Sequence, residues 1–310
     1  MNTFDHPLEA AVAAATATDD SYYVALSGGV DSTALLLAAS RVRSQKIVAL
    51  HAHHGLQDQA DVWAAHCEQL CTALNTTCVV AHLSIALGSG QGTEAPARDA
   101  RYAFFQREVG SGCLLLGHHA QDQAETVLLR LIQGRGVQGM QHTGRVKGMR
   151  VARPLLQFDK RELIEYVEAA GLSWIEDPSN VDLVHDRNFI RAQLLPLLRE
   201  RWPQVDARVN RVAADVQQQN QALYALINSG PLAVNWLLAH ADVAKVCIRA
   251  YLAQQQIYET SDKAIESFLE QCRFHAQNER PTGALPRLSI GTGSWLTVAD
   301  GHLIVEQAGV

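Results

Sequence analysis

The sequence lacks any apolar run that approaches the ~20 residues needed to span a membrane. It also lacks a C-x-x-C pair, because Cys67 and Cys71, the closest of its six cysteines, are four positions apart. We therefore expect the cysteines to be small buried side chains rather than disulfides or metal ligands. Asp5 and Glu9 stand where a basic leader would be, so no secretory signal is predicted and the expected location is the cytoplasm.

The chain lacks the excess of basic residues that nucleic-acid-binding proteins usually show, since its formal net charge is −6. The basic residues are unevenly spread, however, and residues 130–211 hold 14 of the 26 lysines and arginines. By charge alone, solvated helix faces are favoured over a binding surface as the explanation of this segment.

The 310 residues are enough for two domains. In the first part, short apolar runs alternate with helical patterns, which predicts an α/β fold: a five-stranded parallel, Rossmann-like sheet with helices on both faces. Four of the predicted strands are Tyr22–Leu26, Ile47–Ala52, Thr77–Ala81 and Cys113–Leu116. Ligands of such sheets bind beyond the carboxyl ends of the strands.

We predict a catalytic domain over residues 1–205 and a smaller, mainly helical domain over 206–310. The second domain is expected to end in a β-hairpin that turns at Asp300-Gly301. Residues 134–148 contain five glycines and three basic residues, and are expected to form a flexible basic loop at the edge of the sheet.

The strongest motif lies between the first predicted strand and the helix after it, and reads Ser27-Gly28-Gly29-Val30-Asp31-Ser32, followed by Thr33. Glycines let backbone N–H groups converge on an anion, and the helix N-terminus and the hydroxyls add further donors, which predicts a pyrophosphate cradle. A carboxylate in such a cradle needs a cation between it and phosphate, so we expect Asp31 to act with Mg²⁺. The alternative is a purely structural role, in which the motif is a tight turn and Asp31 caps the helix.

This motif resembles that of the PP-loop ATP pyrophosphatases, which include GMP, NAD and asparagine synthetases, tRNA thiolases and tRNA(Ile)-lysidine synthetase. The next motif distinguishes among these enzymes. Two histidines and two carboxylates follow the fourth strand in the block Leu116-Gly117-His118-His119-Ala120-Gln121-Asp122-Gln123-Ala124-Glu125-Thr126. This block resembles the pattern G-H-H-x-x-D-Q-x-E-T of the lysidine synthetase family, with Gln121 where many members have Asp. Locally, Asp122 and Glu125 could also form only a helix cap.

Three further stretches fit the same resemblance. Residues 93–102 carry Arg98 and Arg101 on one helix face, where they could hold phosphates or form a surface ion-pair ladder. His51 and His53 follow the second strand in the sequence H-A-H-H-G-L. Because side chains alternate along a strand and no fourth ligand is evident, we expect contacts with adenosine there rather than zinc. The remaining matches are Arg153–Leu156, Trp174–Asn180 and Arg187–Arg191.

The resemblance implies a ligase that uses ATP and Mg²⁺ to join L-lysine to C2 of the wobble cytidine in tRNA(Ile) with the anticodon CAU. In the family, the cytosine O2 attacks the α-phosphate, pyrophosphate leaves, and the lysine amine then displaces AMP. The implied phosphate-binding residues are Ser27 to Thr33, with His51 and His53 at the adenosine, and Arg98 or Arg101 at the adenylate phosphate. Asp122 would orient the lysine ammonium, with His118 or Glu125 accepting its proton.

The resemblance also gives the basic segment a meaning, because its residues could contact tRNA phosphates. The residues expected to do so are Arg135, Arg145, Lys147, Arg187 and Arg191. Two other interpretations stay open: a PP-loop enzyme that adenylates a small carbonyl substrate, and a protein that only senses ATP. The sequence does not decide between a monomer and a homodimer.

Overall fold

The computed structural model describes residues 4–18, 21–43, 47–53, 55, 59–83, 94–176, 186–227, 232–255, 257, 260–277, 285–290 and 294–307. His54, Thr93 and Asp177–Asn180, which the sequence motifs include, lie outside these ranges. The chain forms two compact units, one of residues 1–126 and 140–210, the other of 127–139 and 211–310. The domain boundary after residue 205 stays a prediction.

Strands and helices alternate along the chain from residue 22 to residue 132. The helices are α1 (Pro7–Ala15), α2 (Val30–Arg43), α3 (Ala60–Ala73), α4 (Glu94–Val109), α5 (Ala120–Ile132), α6 (Lys160–Ala169), α7 (Asp186–Phe189), a π-helical segment (Ile190–Leu194), α8 (Leu195–Arg201), α9 (Val205–Ile227), α10 (Val234–Ala239), α11 (Ala241–Gln254) and α12 (Asp262–Gln277). The strands are β1 (Tyr22–Ala25), β2 (Ile47–His53), β3 (Thr77–His82), β4 (Cys113–Leu115), β5 (Thr143–Val146), β6 (Met149–Ala152), β7 (Arg287–Ser289), β8 (Ser294–Ala299) and β9 (His302–Gln307).

The main sheet has the strand order β3-β2-β1-β4-β6-β5. All neighbouring pairs are parallel except β5 with β6. Residues alternate between its two faces: Val24 and Leu115 pack in one hydrophobic cluster with α1, α2 and α6, while Leu114 packs with α4 in another. The predicted α/β class with helices on both faces is confirmed.

The sheet contains one strand more than predicted, and the expectation of a loop throughout residues 134–148 was wrong. Thr143–Val146 pairs antiparallel with Met149–Ala152, so β5 and β6 form a hairpin. Lys147 and Gly148, the two turn residues, have φ values of 48° and 79°. Positive φ at both positions is typical of a type I′ turn, whose twist matches that of the strands it joins.

The order of the strands reverses at β1, because β2 and β3 lie on one side of it and β4 on the other. In open α/β sheets the crevice outside the strand ends at such a reversal is the usual ligand site. The loops that follow β1 and β4 therefore meet at this crevice, and they carry the two strongest sequence motifs.

The second unit is mainly helical and ends in a three-stranded antiparallel sheet, β7-β8-β9. Leu237, Ile248, Phe268 and Leu296 belong to its own hydrophobic core. The β8–β9 hairpin turns at Asp300 and Gly301, which have φ values of 48° and 77°. No helix in the described part of the chain combines the length and the apolar character needed to cross a bilayer.

The segment after α6 packs over the turn that follows β1. The N–H of Ile175 donates to the carbonyl of Gly28 at 2.8 Å. A Cβ atom on Gly28 would lie 2.8 Å from Ile175 Cδ1 and 3.2 Å from Cys67 Sγ, and the φ of Gly28 is +88°. Glycine is therefore required at this position both by its backbone conformation and by the close approach of its neighbours.

We expect Gly28→Ala to lower the free energy of unfolding by more than Gly171→Ala does. Gly171 has a φ of +68°, but a Cβ atom placed on it would have no neighbour within 4 Å, so its substitution measures backbone strain alone, about 1–2 kcal/mol. Urea unfolding of the two variants checks this. Equal losses would contradict the steric contribution at Gly28.

Candidate active site

The turn after β1 is held together by its own serine hydroxyls. Ser32 Oγ accepts from the backbone N–H of Ser27 at 3.2 Å and donates to the carbonyl of Gly29 at 3.0 Å. Ser27 Oγ lies 3.1 Å from Ser32 Oγ and accepts weakly from the N–H of Gly29 at 3.4 Å. These bonds fix the backbone of the cradle, and Val30 begins α2 directly behind it.

Two buried oxygens of the same turn have no hydrogen-bond partner among the described residues, namely Asp31 Oδ1 and Thr33 Oγ1. Burial raises the pKa of Asp31, although the nearby charges of His119 and Lys160 act to lower it. Unpartnered buried oxygens are costly unless a ligand satisfies them. A carboxylate and a hydroxyl are oxygen ligands of the kind that Mg²⁺ prefers, so this turn fits a magnesium-bound phosphate group.

The loop after β4 lies directly against this turn. A Cβ atom on Gly117 would be 3.0 Å from the backbone carbonyl oxygen of Asp31, so a larger residue would push the two backbones apart. His119 Nε2 is 3.5 Å from both Asp31 Oδ1 and Asp122 Oδ2. His119 Nδ1 accepts from the N–H of Gln121 at 3.2 Å, and Nε2 faces the two carboxylates. His119 therefore connects the two motifs.

Two arginines bind the carboxylates of Asp122 and Glu125. Arg187 belongs to α7, and Arg191 belongs to the π-helical segment. Arg187 donates through Nη2 to Asp122 Oδ1 and through Nε to Glu125 Oε2, both at 2.9 Å. Arg191 donates through Nε to Glu125 Oε1 at 2.6 Å, and through Nη2 to Asp122 Oδ1 at 3.0 Å and Glu125 Oε2 at 2.8 Å. The side chain of Glu125 is only 3% exposed, so it depends on these partners.

The ionisation of Asp122 follows from its neighbours. Burial acts to raise its pKa, but the charges of His119 and Arg187, together with the N–H of His119 that donates to Oδ2 at 3.1 Å, outweigh burial and lower it. Asp122 is therefore a carboxylate at neutral pH. Its two oxygens accept from a helix-capping backbone N–H and from two guanidinium groups, which fixes its position.

His118 has a different environment from His119. Burial lowers the pKa of His118 to about 4, with Arg153 and Arg187 acting in the same direction and Asp122 acting against it. Its Nδ1 is buried and has no hydrogen-bond partner among the described residues. The ring is thus neutral at neutral pH and holds a polar atom that a bound group could satisfy.

Gln121, the departure from the family pattern, connects α5 with α6. Its Nε2 donates to Asp159 Oδ2 at 2.7 Å, and its Oε1 accepts from the N–H of Lys160 at 3.0 Å. Asp159 also forms a capping box with Glu162 at the start of α6. The amide at position 121 can both donate and accept here, which a carboxylate could not do.

The two histidines predicted near adenosine lie at the end of β2. Burial lowers the pKa of His51, and its Nδ1 lies 2.9 Å from the carbonyl oxygen of Leu26, so it anchors the end of β1. His53 Nε2 lies 2.9 Å from Asp61 Oδ1. Contacts of either histidine with adenosine stay a prediction.

The arginines of α4 lie near one aromatic ring. The guanidinium carbons of Arg98 and Arg101 are each 5.8 Å from the centroid of Tyr102. Lys147 Nζ is 5.7 Å from the same centroid and 2.6 Å from Asp99 Oδ1. The predicted phosphate-binding role of the two arginines is not tested by these contacts.

The residues predicted to contact tRNA are divided between two environments. Arg187 and Arg191 belong to the carboxylate cluster described above. Arg145 donates to the carbonyl of Gly148 at 2.7 Å within the β5–β6 hairpin. Arg135 is exposed, in the part of the chain that belongs to the second unit. Contact of any of them with tRNA stays a prediction.

One feature of the site was missed from the sequence. His118 rather than His119 was assigned a chemical role, yet His119 is the residue that lies between Asp31 and Asp122. The only sequence signal for His119 was its place in the double histidine, which does not tell which ring faces the turn after β1.

The site defines a PP-loop nucleotide-binding domain. Residues 2–198 match the model of a family described as a PP-loop domain, and the chain belongs to this family. It is also similar to curated proteins named tRNA(Ile)-lysidine synthase. Those from Alkalilimnicola ehrlichii and Pseudomonas putida are 46% and 44% identical to it over 209 and 204 residues, which are 65% and 62% of this chain. The resemblance to the lysidine synthetase family is confirmed over the aligned part.

These relatives are longer than the chain. The two alignments take in 47% of each relative, and a third, with a protein of the same name from Xanthomonas axonopodis, is 42% identical over 70% of this chain and 53% of the relative. The chain thus spans about half the length of the curated relatives it matches. Among solved structures, the chain is similar to a U34-tRNA thiolase from Methanococcus maripaludis, with a TM-score of 0.56 and 16% sequence identity. The match covers 67% of this chain and 78% of the thiolase. At this level of identity the similarity shows a shared fold and nothing further.

We expect Arg191→Met to destabilise the first unit by roughly 2–3 kcal/mol, because it leaves the buried carboxylate of Glu125 with one guanidinium partner fewer. Arg199→Met is the matched control: Arg199 also binds a carboxylate through two nitrogens, but its partner Asp206 is more exposed than Glu125, so a loss of at most about 1 kcal/mol is expected. Denaturant unfolding measures both. Equal losses would show that burial of Glu125 does not matter.

We expect the imidazole of His118 to stay neutral well below pH 6.5. NMR titration of labelled histidines, assigned with His118→Gln, should give a midpoint near pH 4 for His118, far below the value of about 6.5 for the pKa of a solvated histidine. Because the unfolded chain then binds more protons than the folded one between about pH 4 and 6.5, His118 makes stability rise with pH in that window. A midpoint near 6.5 for His118 would contradict its desolvation.

Proposed function

We propose that the chain carries the ATP-dependent ligation of L-lysine to C2 of the wobble cytidine in tRNA(Ile) with the anticodon CAU. The observation that carries the proposal is the meeting of the turn after β1 with the His118–Glu125 block at the reversal of the strand order. The similarity to proteins named tRNA(Ile)-lysidine synthase selects this reaction among those known for PP-loop proteins.

The turn after β1 would hold the phosphates of ATP. The N–H groups at the start of α2 and the unpartnered hydroxyl of Thr33 are suitable donors for phosphate oxygens. Asp31 would hold Mg²⁺, which supplies positive charge against the phosphate oxygens. Asp31 suits this role because the guanidinium groups of the cluster bind Asp122 and Glu125 and leave Oδ1 of Asp31 without a hydrogen-bond partner among the described residues.

Arg187 and Arg191 are suited to bind the phosphate of the adenylated intermediate or of the tRNA. Each uses Nε and Nη2 for Asp122 and Glu125, and the described residues give their Nη1 groups no carboxylate partner. The two side chains are 39% and 38% exposed. In this proposal the carboxylates hold the two guanidinium groups in place, and the Nη1 groups donate to the phosphate.

The lysine must lose its ammonium proton before its amine can attack C2. His118 and Glu125 stay the candidate acceptors of this proton, although both oxygens of Glu125 accept from guanidinium groups and burial lowers the pKa of His118 to about 4, which makes its ring a weak base. Asp122 would orient the ammonium through its negative charge. Arg98 or Arg101 would act on the adenylate phosphate.

The wobble base must leave the stack of the anticodon loop to reach this crevice. Arg135, Arg145 and Lys147 are proposed to contact the tRNA backbone, and the second unit is proposed to dock the tRNA. The cytoplasm is the location in which this reaction would take place, and either a monomer or a homodimer could perform it.

The test is incorporation of labelled lysine into a tRNA(Ile) transcript with the anticodon CAU, in the presence of ATP and Mg²⁺. We expect label in this tRNA and none in the tRNA(Met) transcript with the same anticodon. Asp122→Asn should lower the rate at least about 100-fold, as loss of a positioned charged group at a reaction centre does, while ATP binding is retained. Arg199→Met, outside the cluster, should keep the normal rate.

Other results would decide against the proposal in distinct ways. Pyrophosphate release with a small carbonyl compound and no tRNA would assign the site to a different PP-loop reaction. ATP binding without pyrophosphate release under any condition would assign it to nucleotide sensing. If full-length relatives label the tRNA and this chain does not, the proposal fails for the chain as it stands.

A further inference from the structure

A histidine pair lies at the ends of β2 and β3. His53 is the last residue of β2 and His82 the last of β3, and the two are direct partners in the parallel register. Paired residues of neighbouring strands project from the same face of a sheet. Accordingly the centroids of the two imidazole rings are 4.4 Å apart, and the ring planes form an angle of 44°.

A carboxylate completes the group. Asp61, in the first turn of α3, places Oδ1 2.9 Å from His53 Nε2. One ligand atom from each of His53, Asp61 and His82 lies within 4.8 Å of the other two. Three side chains of ligand chemistry thus come together from three elements of the first unit.

The separation between His53 and Asp61 is close to what a tetrahedral cation requires. Ligand distances of about 2.0–2.2 Å put neighbouring ligand atoms of a zinc ion about 3.3 Å apart. The separation of 2.9 Å between His53 and Asp61 is near this value. The side chain of His53 is 9% exposed and that of Asp61 is 89% exposed, so the carboxylate can shift while the buried imidazole stays fixed.

No zinc site was predicted from the sequence, because the side chains of H-x-H-H on one strand project from both faces of the sheet. That argument considered ligands from β2 only. The fold supplies the other two ligands from β3 and α3, which no spacing within β2 could show.

We propose that His53, Asp61 and His82 bind one divalent transition-metal ion of the class that prefers nitrogen and oxygen ligands, with Zn²⁺ as the probe. Two neutral imidazoles and one carboxylate form a ligand set typical of this class, and the fourth position is left to water. The ion ties the ends of β2 and β3 to the start of α3. Because it binds only the folded unit, it stabilises that unit.

The proposal is tested on the full chain by titration with Zn²⁺ in equilibrium dialysis with elemental analysis, and by the visible spectrum after Co²⁺ binding. We expect one equivalent of metal and a spectrum of nitrogen and oxygen ligation. Asp61→Asn and His82→Gln should each weaken binding by at least about tenfold, because even loss of a group that only supports a metal ligand weakens binding by about 10- to 100-fold. His142→Gln, at an exposed histidine of the same unit, should leave it unchanged.

Three outcomes would overturn the proposal: no stoichiometric binding, the same affinity in both cluster variants as in His142→Gln, or a thiolate charge-transfer band, which would place the ion at the cysteines. If Asp61→Asn lowers the melting temperature equally with and without Zn²⁺, the group is an ion pair and no metal site. None of these measurements uses tRNA or ATP, so they are independent of the proposed ligase activity.

Discussion

The burial of two carboxylates at the end of the sheet is the constraint on which the site depends. Glu125 is almost fully buried and Asp122 nearly so, and the two lie three residues apart near the start of α5. Charges so placed are tolerated only when hydrogen-bonded partners of opposite charge replace the water that they lose. Arg187 and Arg191 provide those partners, and they come from a segment more than 60 residues further along the chain.

This requirement explains several local features together. The segment of Arg187 and Arg191 must bring two guanidinium groups to the same pair of carboxylates, and Arg191 lies in a π-helical segment rather than a regular α-helix. Such insertions change which residues share a helix face, and they are frequent at functional sites. Arg187 and Arg191 each form ion pairs with both carboxylates, and these four ion pairs hold the segment against α5.

The same end of the sheet is organised by close backbone approaches. Gly28 and Gly117 each occupy a place where a Cβ atom would meet its neighbours at 3.0 Å or less. The approach of Gly117 to Asp31 brings the loop after β4 against the turn after β1, with His119 between Asp31 and Asp122. The two motifs thus form one site, in which Asp31 Oδ1, Thr33 Oγ1 and His118 Nδ1 have no hydrogen-bond partner among the described residues.

The sequence by itself determined the α/β class, the turn after β1 and the block after β4, because these depend on short-range patterns: the alternation of strands and helices, glycines before a helix, and polar residues where a strand ends. It could not determine that Arg187 and Arg191 bind Asp122 and Glu125, that His119 faces Asp31, or that His82 lies beside His53. Those pairs join residues distant in sequence, and only the packing of the elements decides which side chains meet. Residues 143–146 formed a strand rather than a loop for the same reason, since β5 is a strand only because β6 is there to pair with it.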